Sequence, residues 1–257
     1  MTLVMLRFIR SGAMTRNPAN DPRTVARNIP GVFDSLFPQL TPSVVAHFNR
    51  TAQLSLCEPI PIEMVQESKL NKAMLFELGF TVGEKLLAGN NIDWDDCLRV
   101  AIARQKRYFD AQVPSELTEL DKQVAEMTGR NISTMIKELA AERNHPIRAT
   151  PAVPGFQWIS SGHGDFEIGP TLIEVKCSSG NFSAPDYRQV VMYWLLSFAA
   201  SVEDYRAEWS EGILLNPRSA KYVVFKLDNF LRVISGGRTK VEILQLFSSM
   251  VGTRDVK

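Results

Sequence analysis

The chain has 257 residues, 45% of them apolar, enough for one large domain or for a catalytic domain with a helical extension. Twenty-nine Lys and Arg against 28 Asp and Glu leave a formal net charge of +1, so a face for nucleic acid would have to come from local clustering and not from bulk charge. No apolar run approaches the roughly 20 residues that span a bilayer, and the cysteines, Cys57, Cys97 and Cys177, form no CxxC or Cys/His cluster, which argues against zinc and iron–sulfur frameworks and fits a reducing, cytoplasmic compartment.

Met1 to Arg27 carries Arg7, Arg10, Arg16, Arg23 and Arg27 against the single acid Asp21. It lacks a continuous apolar core followed by a small-residue cleavage site, so no secretion signal is read. A partly ordered tail is expected there, with an organelle transit peptide as the other reading. Further along, Met74, Leu75, Leu78, Val82, Leu86 and Leu87 recur at helical spacing and predict a helix over 70–88, weakened by Gly79 and Gly83. Gly89-Asn90-Asn91 ends it. Asp93 is a plausible cap for a second helix running to about Phe109, which carries the basic run Arg99, Arg104, Lys106 and Arg107. After a break at Ala111 to Pro114, a third helix is expected, with Ile132, Met135, Ile136 and Leu139 on one stripe and an end near Asn144-His145-Pro146.

The second half changes character. Ile147 to Ile159 reads as an irregular strand, and His163 to Ile168 and Thr171 to Cys177 as two strands around Gly169-Pro170. Ser183-Ala184-Pro185-Asp186 has the form of a helix start, with proline in the first turn. The helix that follows, to about Val202, is strongly apolar. Gly212 to Leu215 and Tyr222 to Leu227 read as the last two strands. The order helix, three strands, helix, two strands predicts an α/β fold with a central mixed sheet flanked by helices. It divides into an N-terminal tail and helical region over 1–115 and a core over 116–257.

Alternation along a strand puts Glu174 and Lys176 on one face and Ile173 and Val175 on the other. The apolar pair is expected to face the core, and the ionic pair a cleft or solvent. On the preceding strand Asp165 and Glu167 share the polar face. A symmetric reversal about Gly169-Pro170 sets Asp165 opposite Glu174. Proline is awkward at the second central position of a tight turn, so a slightly wider loop with the same pairing is predicted. Two adjacent carboxylates repel unless a cation or a shared proton compensates. Mg²⁺, with Mn²⁺ as surrogate, suits hard oxygen donors and the hydrolysis of phosphodiesters. The carbonyl of Val175 is a further candidate donor, and Lys176 is placed to orient or help deprotonate a water. The plain alternative for Asp165, Glu174 and Lys176 is an exposed strand face with a cross-strand salt bridge.

Gly164-Asp165, then Glu174-Val175-Lys176, then a helix with Gln189 and Tyr193 four residues apart, resembles the PD-(D/E)XK nuclease superfamily, and most closely its RecB-type and lambda-exonuclease-like branch. The resemblance spans roughly residues 147–224. It implies a restriction-endonuclease-like core and a Mg²⁺-dependent nuclease, acting on DNA before RNA, in recombination and repair, phage replication or defence. By the same resemblance Asp165 and Glu174 hold the metal with the Val175 carbonyl, Lys176 assists the water, Gln189 supports the site and Tyr193 lies near nucleic acid. An acid from an earlier helix completes such sites, and Glu84 is the candidate, with Glu138 and Glu142 as rivals. His163 and Glu167 read as a turn histidine and a solvated neighbour. Arg104 and Arg107 are candidates for the phosphate backbone. Expected partners are nucleic acid and a helicase, ATPase or other complex subunit, with a homo-oligomer left open and no membrane. The alternative reading is a catalytically silent nuclease-fold subunit that binds nucleic acid or scaffolds a larger complex.

Overall fold

A computed structural model of the protein describes residues 20–28, 30–106, 114, 116–204 and 208–252. In chain order it contains α1 (Pro22–Asn28), α2 (Pro30–Leu36), α3 (Pro42–Arg50), β1 (Gln53–Leu54), α4 (Ile62–Glu67), α5 (Lys72–Leu87), α6 (Trp94–Gln105) and α7 (Glu119–Arg143). These are followed by β2 (Ile147–Ala149), β3 (Ala152–Val153), β4 (Gly162–His163), β5 (Phe166–Ile168), β6 (Thr171–Val175), α8 (Ala184–Asp204), β7 (Glu211–Asn216), β8 (Lys221–Lys226), α9 (Leu227–Ile234) and α10 (Lys240–Gly252).

The main sheet is mixed and six-stranded, in the order β1-β8-β7-β6-β5-β2, and β3 and β4 form a separate two-stranded sheet. All neighbours in the main sheet are antiparallel except β6 and β7. A parallel pair needs a crossover, and α8 supplies it. The molecule is therefore α/β, with helices on both faces of the sheet. One face, made by Phe166, Ile168, Ile173, Val175, Ile213 and Leu215, packs on α5 and α7 through Phe80, Ile132, Ile136 and Leu139. The other, with Leu172, Leu214, Val223 and Phe225, packs on α8 and on residues of α1, α2, α9 and α10. Among the described residues no helix is long and apolar enough to cross a membrane.

Several predicted signals act as expected. The Asp93 side chain caps α6 at the amides of Asp95 and Asp96. Asn144 ends α7 in the left-handed conformation. The Asp186 carboxylate accepts from the amide and hydroxyl of Ser183, at 2.8 and 2.6 Å, at the start of α8. The glycines that weaken α5 on propensity have a packing reason. A Cβ on Gly79 would fall 2.7 Å from the Thr128 side chain, one on Gly83 3.0 Å from Ile132, and one on Gly129 2.5 Å from Val82. α5 and α7 thus approach along a seam that admits no side chain.

Other expectations are corrected. α6 ends at Gln105 with Lys106 as its C-cap, not at Phe109; residues 107–113, including Arg107, lie outside the described residues. The irregular strand over 147–159 is two strands in two sheets, β2 and β3, followed by a bridge between Phe156 and Ile159. The strand over 163–168 is broken at Gly164-Asp165, so β4 and β5 also belong to different sheets. The Gly169-Pro170 reversal is the tight two-residue turn and not a wider one, since Ile168 pairs directly with Thr171. Gly169 takes the positive φ, 55°, at the first central position, which leaves Pro170 the negative φ that its ring imposes. Residues 22–27, read as part of a tail, lie in α1, started by Asp21, whose carboxylate accepts from the amides of Arg23 and Thr24. Its Val25 and Ala26 are buried in the core beside α8.

At the far end of the sheet, Glu211 accepts from Arg143, Thr171 and Lys226 within 3.0 Å. Burial pushes its carboxyl up, but the bonds from Lys226 and Arg143 outweigh that and hold it below its ordinary value. A depressed folded pKa stabilises above the unfolded value, about 4.3, and that stability is lost as pH falls through the folded value. Unfolding in denaturant at pH 7 and at pH 3 should therefore show a smaller acid loss in Glu211→Gln than in the wild type, and a lower stability of the variant at pH 7. Gly129→Ala should cost about 1–3 kcal/mol in the same assay, because Val82 cannot retreat without moving α5; a neutral result would mean the seam is not tightly packed.

Candidate active site

The turn at Gly169-Pro170 fixes the register Phe166 to Ile173. Continued one residue, it brings Asp165 opposite Glu174, as the symmetric reversal predicts. Strand pairing stops at that point, and the Asp165 side chain replaces it: Oδ2 accepts from the Val175 amide at 2.7 Å. Gly164 has its own reason. A Cβ there would meet the tip of Leu172 at 2.9 Å and Pro151 at 3.3 Å, so any side chain at this strand break would oblige Leu172 to shift.

Glu174 and Lys176 face α8, on the side opposite Ile173 and Val175. Lys176 Nζ donates to Glu174 Oε1 at 3.0 Å and to Gln189 Oε1 at 2.7 Å. Gln189 Nε2 donates in turn to Glu174 Oε1 at 2.5 Å and to the Tyr193 hydroxyl at 3.0 Å. Charge settles the amide orientation, since its oxygen must face the ammonium and its nitrogen the carboxylate. One helix turn thus presents Gln189 and Tyr193 together, as their spacing of four requires.

The expectation of an open ionic face does not hold. Glu174 is 3% exposed, Lys176 8%, Gln189 1% and Tyr193 4%. They form a polar network enclosed between sheet and helix, in which Glu174 Oε2 is buried with no hydrogen-bond partner. Asp165 keeps some solvent-facing surface, yet burial and then the neighbouring Glu174 push its carboxyl well above the usual range, against the attraction of Lys176, the Val175 amide and Arg23. Burial, Glu174 and Asp165 likewise raise the Tyr193 phenol well above its ordinary value.

The remaining candidates lie elsewhere. Glu84 pairs with Arg104 at 2.6 Å, and Arg104 also bonds Thr81 and lies over the Phe80 ring. Burial raises the Glu84 carboxyl, with Arg104 opposing. The two residues proposed for metal and for phosphate thus hold each other. Glu138 accepts from Ser55, and Glu142 bonds Arg143. Glu167 is tied to Trp209 and Arg148, and His163 lies on β4. Among the described residues no group of three or more His, Cys, Asp or Glu comes together, so the acids at the site are the pair Asp165 and Glu174.

Two groups that the sequence reading left in a tail or a cap act electrostatically on this site. Arg23 of α1 acts electrostatically on both Asp165 and Tyr193. Asp186, two turns from Tyr193 on α8, feels Lys176 and bonds Arg27 of α1 at 2.9 Å. The available signal was Asp21-Pro22, a cap followed by proline at the first helical position, which marks a helix start within an otherwise tail-like segment.

The chain was compared with protein-family models, with curated proteins and with solved structures. None matches.

The raised Asp165 pKa has a definite sign. A carboxyl whose folded pKa exceeds the unfolded one takes up a proton on folding, so stability falls as pH rises from the unfolded value, about 3.9, towards the folded one. Without added divalent ions, Asp165→Asn should melt higher than the wild type at pH 8, with the difference shrinking towards pH 4. Melting curves across that range check this, and a variant less stable at pH 8 would mean that the two carboxylates do not strain each other.

Proposed function

We propose that the protein is a metal-dependent nuclease of the PD-(D/E)XK kind, with a restriction-endonuclease-like core and with Asp165, Glu174 and Lys176 as its centre. The observation that carries this reading is the orphaned, buried Glu174 Oε2 beside an Asp165 carboxyl that Glu174 itself pushes up. A buried acceptor without a donor is costly, and a second carboxylate next to it adds repulsion. A hard divalent cation relieves both.

The donor set fits Mg²⁺. Asp165, Glu174 Oε2 and the Val175 carbonyl are oxygen donors, and this ion takes one or two carboxylates and completes its shell with water and substrate oxygens. When bound, Mg²⁺ supplies Lewis acidity and makes water a usable nucleophile at neutral pH. The chain's own residues do the rest. Gln189 bridges Glu174 and Lys176, so carboxylate and ammonium keep one geometry. Lys176 spends two of its three donors on Glu174 and Gln189, which leaves one for a water or a phosphoryl oxygen in the cleavage step. Tyr193, whose phenol stays protonated, accepts from Gln189 and closes the network on the helix side. The substrate is nucleic acid, DNA before RNA.

The enclosure of the network favours a second reading, in which a silent member of the fold keeps these residues as a buried structural unit within a larger nucleic-acid-binding assembly. A nuclease assay with Mg²⁺ separates the two. Wild-type protein should cut DNA, and Glu174→Ala and Lys176→Ala should each lose at least about 100-fold. Equal cutting by all three would remove the assignment, and no cutting by any would support the silent subunit. In parallel, calorimetric titration should show Mn²⁺ binding to wild type and none to Asp165→Asn.

A further inference from the structure

Gln53-Leu54-Ser55-Leu56 holds neither a charge nor a proline, yet β1 is an outer strand of the main sheet. Outer strands are ordinarily blunted by charge or proline, because their free amides and carbonyls recruit another strand. The opposite edge follows this rule: β2 comes directly after Pro146 and carries Arg148, whose side chain is 71% exposed. The β1 edge is instead apolar, with Leu54 72% and Leu56 93% exposed.

The strip is held firmly from behind. Ser55 donates its amide to the Ala220 carbonyl at 2.9 Å and its hydroxyl to Glu138 of α7 at 2.7 Å. The Tyr222 hydroxyl donates to Gln53 Oε1 at 3.0 Å, and the Cys57 thiol reaches the Asn131 carbonyl of α7. Gln53, Ser55 and Cys57 thus lie on the α7 side, and Leu54 and Leu56 stand on the other face. Since the Ser55 amide points to β8, the amides and carbonyls of Leu54 and Leu56 point to the open side. The edge is preformed, so pairing with it costs little further ordering.

We propose that two copies of the chain pair antiparallel through β1, Leu54 against Leu54, and join their six-stranded sheets into one. A two-fold interface needs a surface that complements itself, and this strip does so about Leu54. The two copies of Leu54 exchange backbone hydrogen bonds and pack side by side, and Leu56 meets Ala52 of the second copy. On the α7 side Gln53 meets Ser55 of the second copy. Gln53 spends its oxygen on Tyr222 and keeps its amide hydrogens, and the Ser55 hydroxyl holds the Glu138 carboxylate that accepts them. At the ends of the strip the exposed Arg50 of each copy falls opposite the exposed Glu58 of the other, and among the described residues neither forms an ion pair within the chain. An axis at Leu56 would instead set Glu58 against Leu54, and an axis at Gln53 or Ser55 is closed because their backbone groups face β8. Lys221, across from Leu54 on β8, would stand three strand spacings, about 14 Å, from its twin, beyond the screening length in ordinary salt. The pairing does not rest on the nuclease reading.

Sedimentation of the full-length protein over about 1–100 µM tests it. Wild type should pass from monomer to dimer in that range, because a strip over 52–56 is short against the ~800 Å² per partner of a stable interface. Leu54→Asp should weaken the dimer at least about tenfold, by setting two carboxylates on the axis. Arg50→Glu and Glu58→Arg should each weaken it about three- to tenfold, and the double variant should restore it. Cross-linking reads the register. Leu54→Cys should form an intermolecular disulfide on mild oxidation, since facing residues in a hydrogen-bonded pair lie about 5.5 Å apart. Leu56→Cys, roughly 14 Å from its twin, should not, and oxidised wild type controls for Cys57, Cys97 and Cys177. Wild type that stays monomeric throughout overturns the proposal and leaves the strip to a different partner. A dimer indifferent to Leu54→Asp overturns it as well, as does one in which Leu56→Cys links as fast as Leu54→Cys. If Leu54→Asp does not fold, the charge exchange and the cross-links decide.

Discussion

The Glu174 carboxylate has one oxygen satisfied twice over and the other not at all. Oε1 accepts from Lys176 and from Gln189, while Oε2 is buried without a partner. A charge enclosed in this way is tolerated only when its surroundings are rigid and nearly complete. Lys176, Gln189 and Tyr193 provide the rigidity around Oε1, and Oε2 is left without a donor. The local arrangement follows from this half-satisfied group. α8 places an amide against the strand, the chain breaks at the closely packed Gly164, and Asp165 turns its side chain to the Val175 amide.

The sheet topology makes this possible. The β6–β7 pair is parallel and central, so its strands are covered on both faces, and polar residues on it are buried by default. That explains why an ionic pair expected at a cleft is instead enclosed. On the face towards α5 and α7 the strands carry apolar side chains except at the far end, where Thr171 and Glu211 meet Arg143 of α7. On the face towards α8 the strand end carries Glu174 and Lys176, and α8 answers with Gln189 and Tyr193 in an otherwise apolar surface. The same crossover that the parallel pair requires therefore also supplies half of the polar network. The antiparallel β5–β6 hairpin supplies the other half, and its tight turn leaves no slack in register. A slip by one residue would send Asp165 to the opposite face.

Among the described residues, several charges away from the site compensate one another. Arg104 is matched to Glu84, Lys85 and Arg99 to Asp96, and Arg143 and Lys226 to Glu211. Of the basic run read on one helix, Arg104 pairs with Glu84 of the neighbouring α5 and Arg99 with Asp96 of α6 itself. The groups that bear on the acidic centre come instead from α1, a segment with a composition like that of a tail. Its contribution is a matter of where a short helix is laid down, and the fold lays it across the start of α8.

The sequence by itself determined what local rules govern. Side-chain alternation put Glu174 and Lys176 on one strand face, the spacing of Gln189 and Tyr193 put them on one helix face, and Ser183 with Asp186 marked the start of α8. The symmetric hairpin pairing of Asp165 with Glu174 was legible for the same reason, because it depends on neighbours a few residues away. The tertiary structure alone decided which face α8 covers, and hence that the ionic pair is enclosed. It also decided that Arg104 is spent on Glu84, that Glu84 stays apart from the acidic pair, and that Arg23 and Arg27 return from about 140–160 residues away to the site. Those outcomes depend on contacts between elements distant in the chain. Periodicity and propensity describe each element's faces but carry no term for which face of which partner meets it.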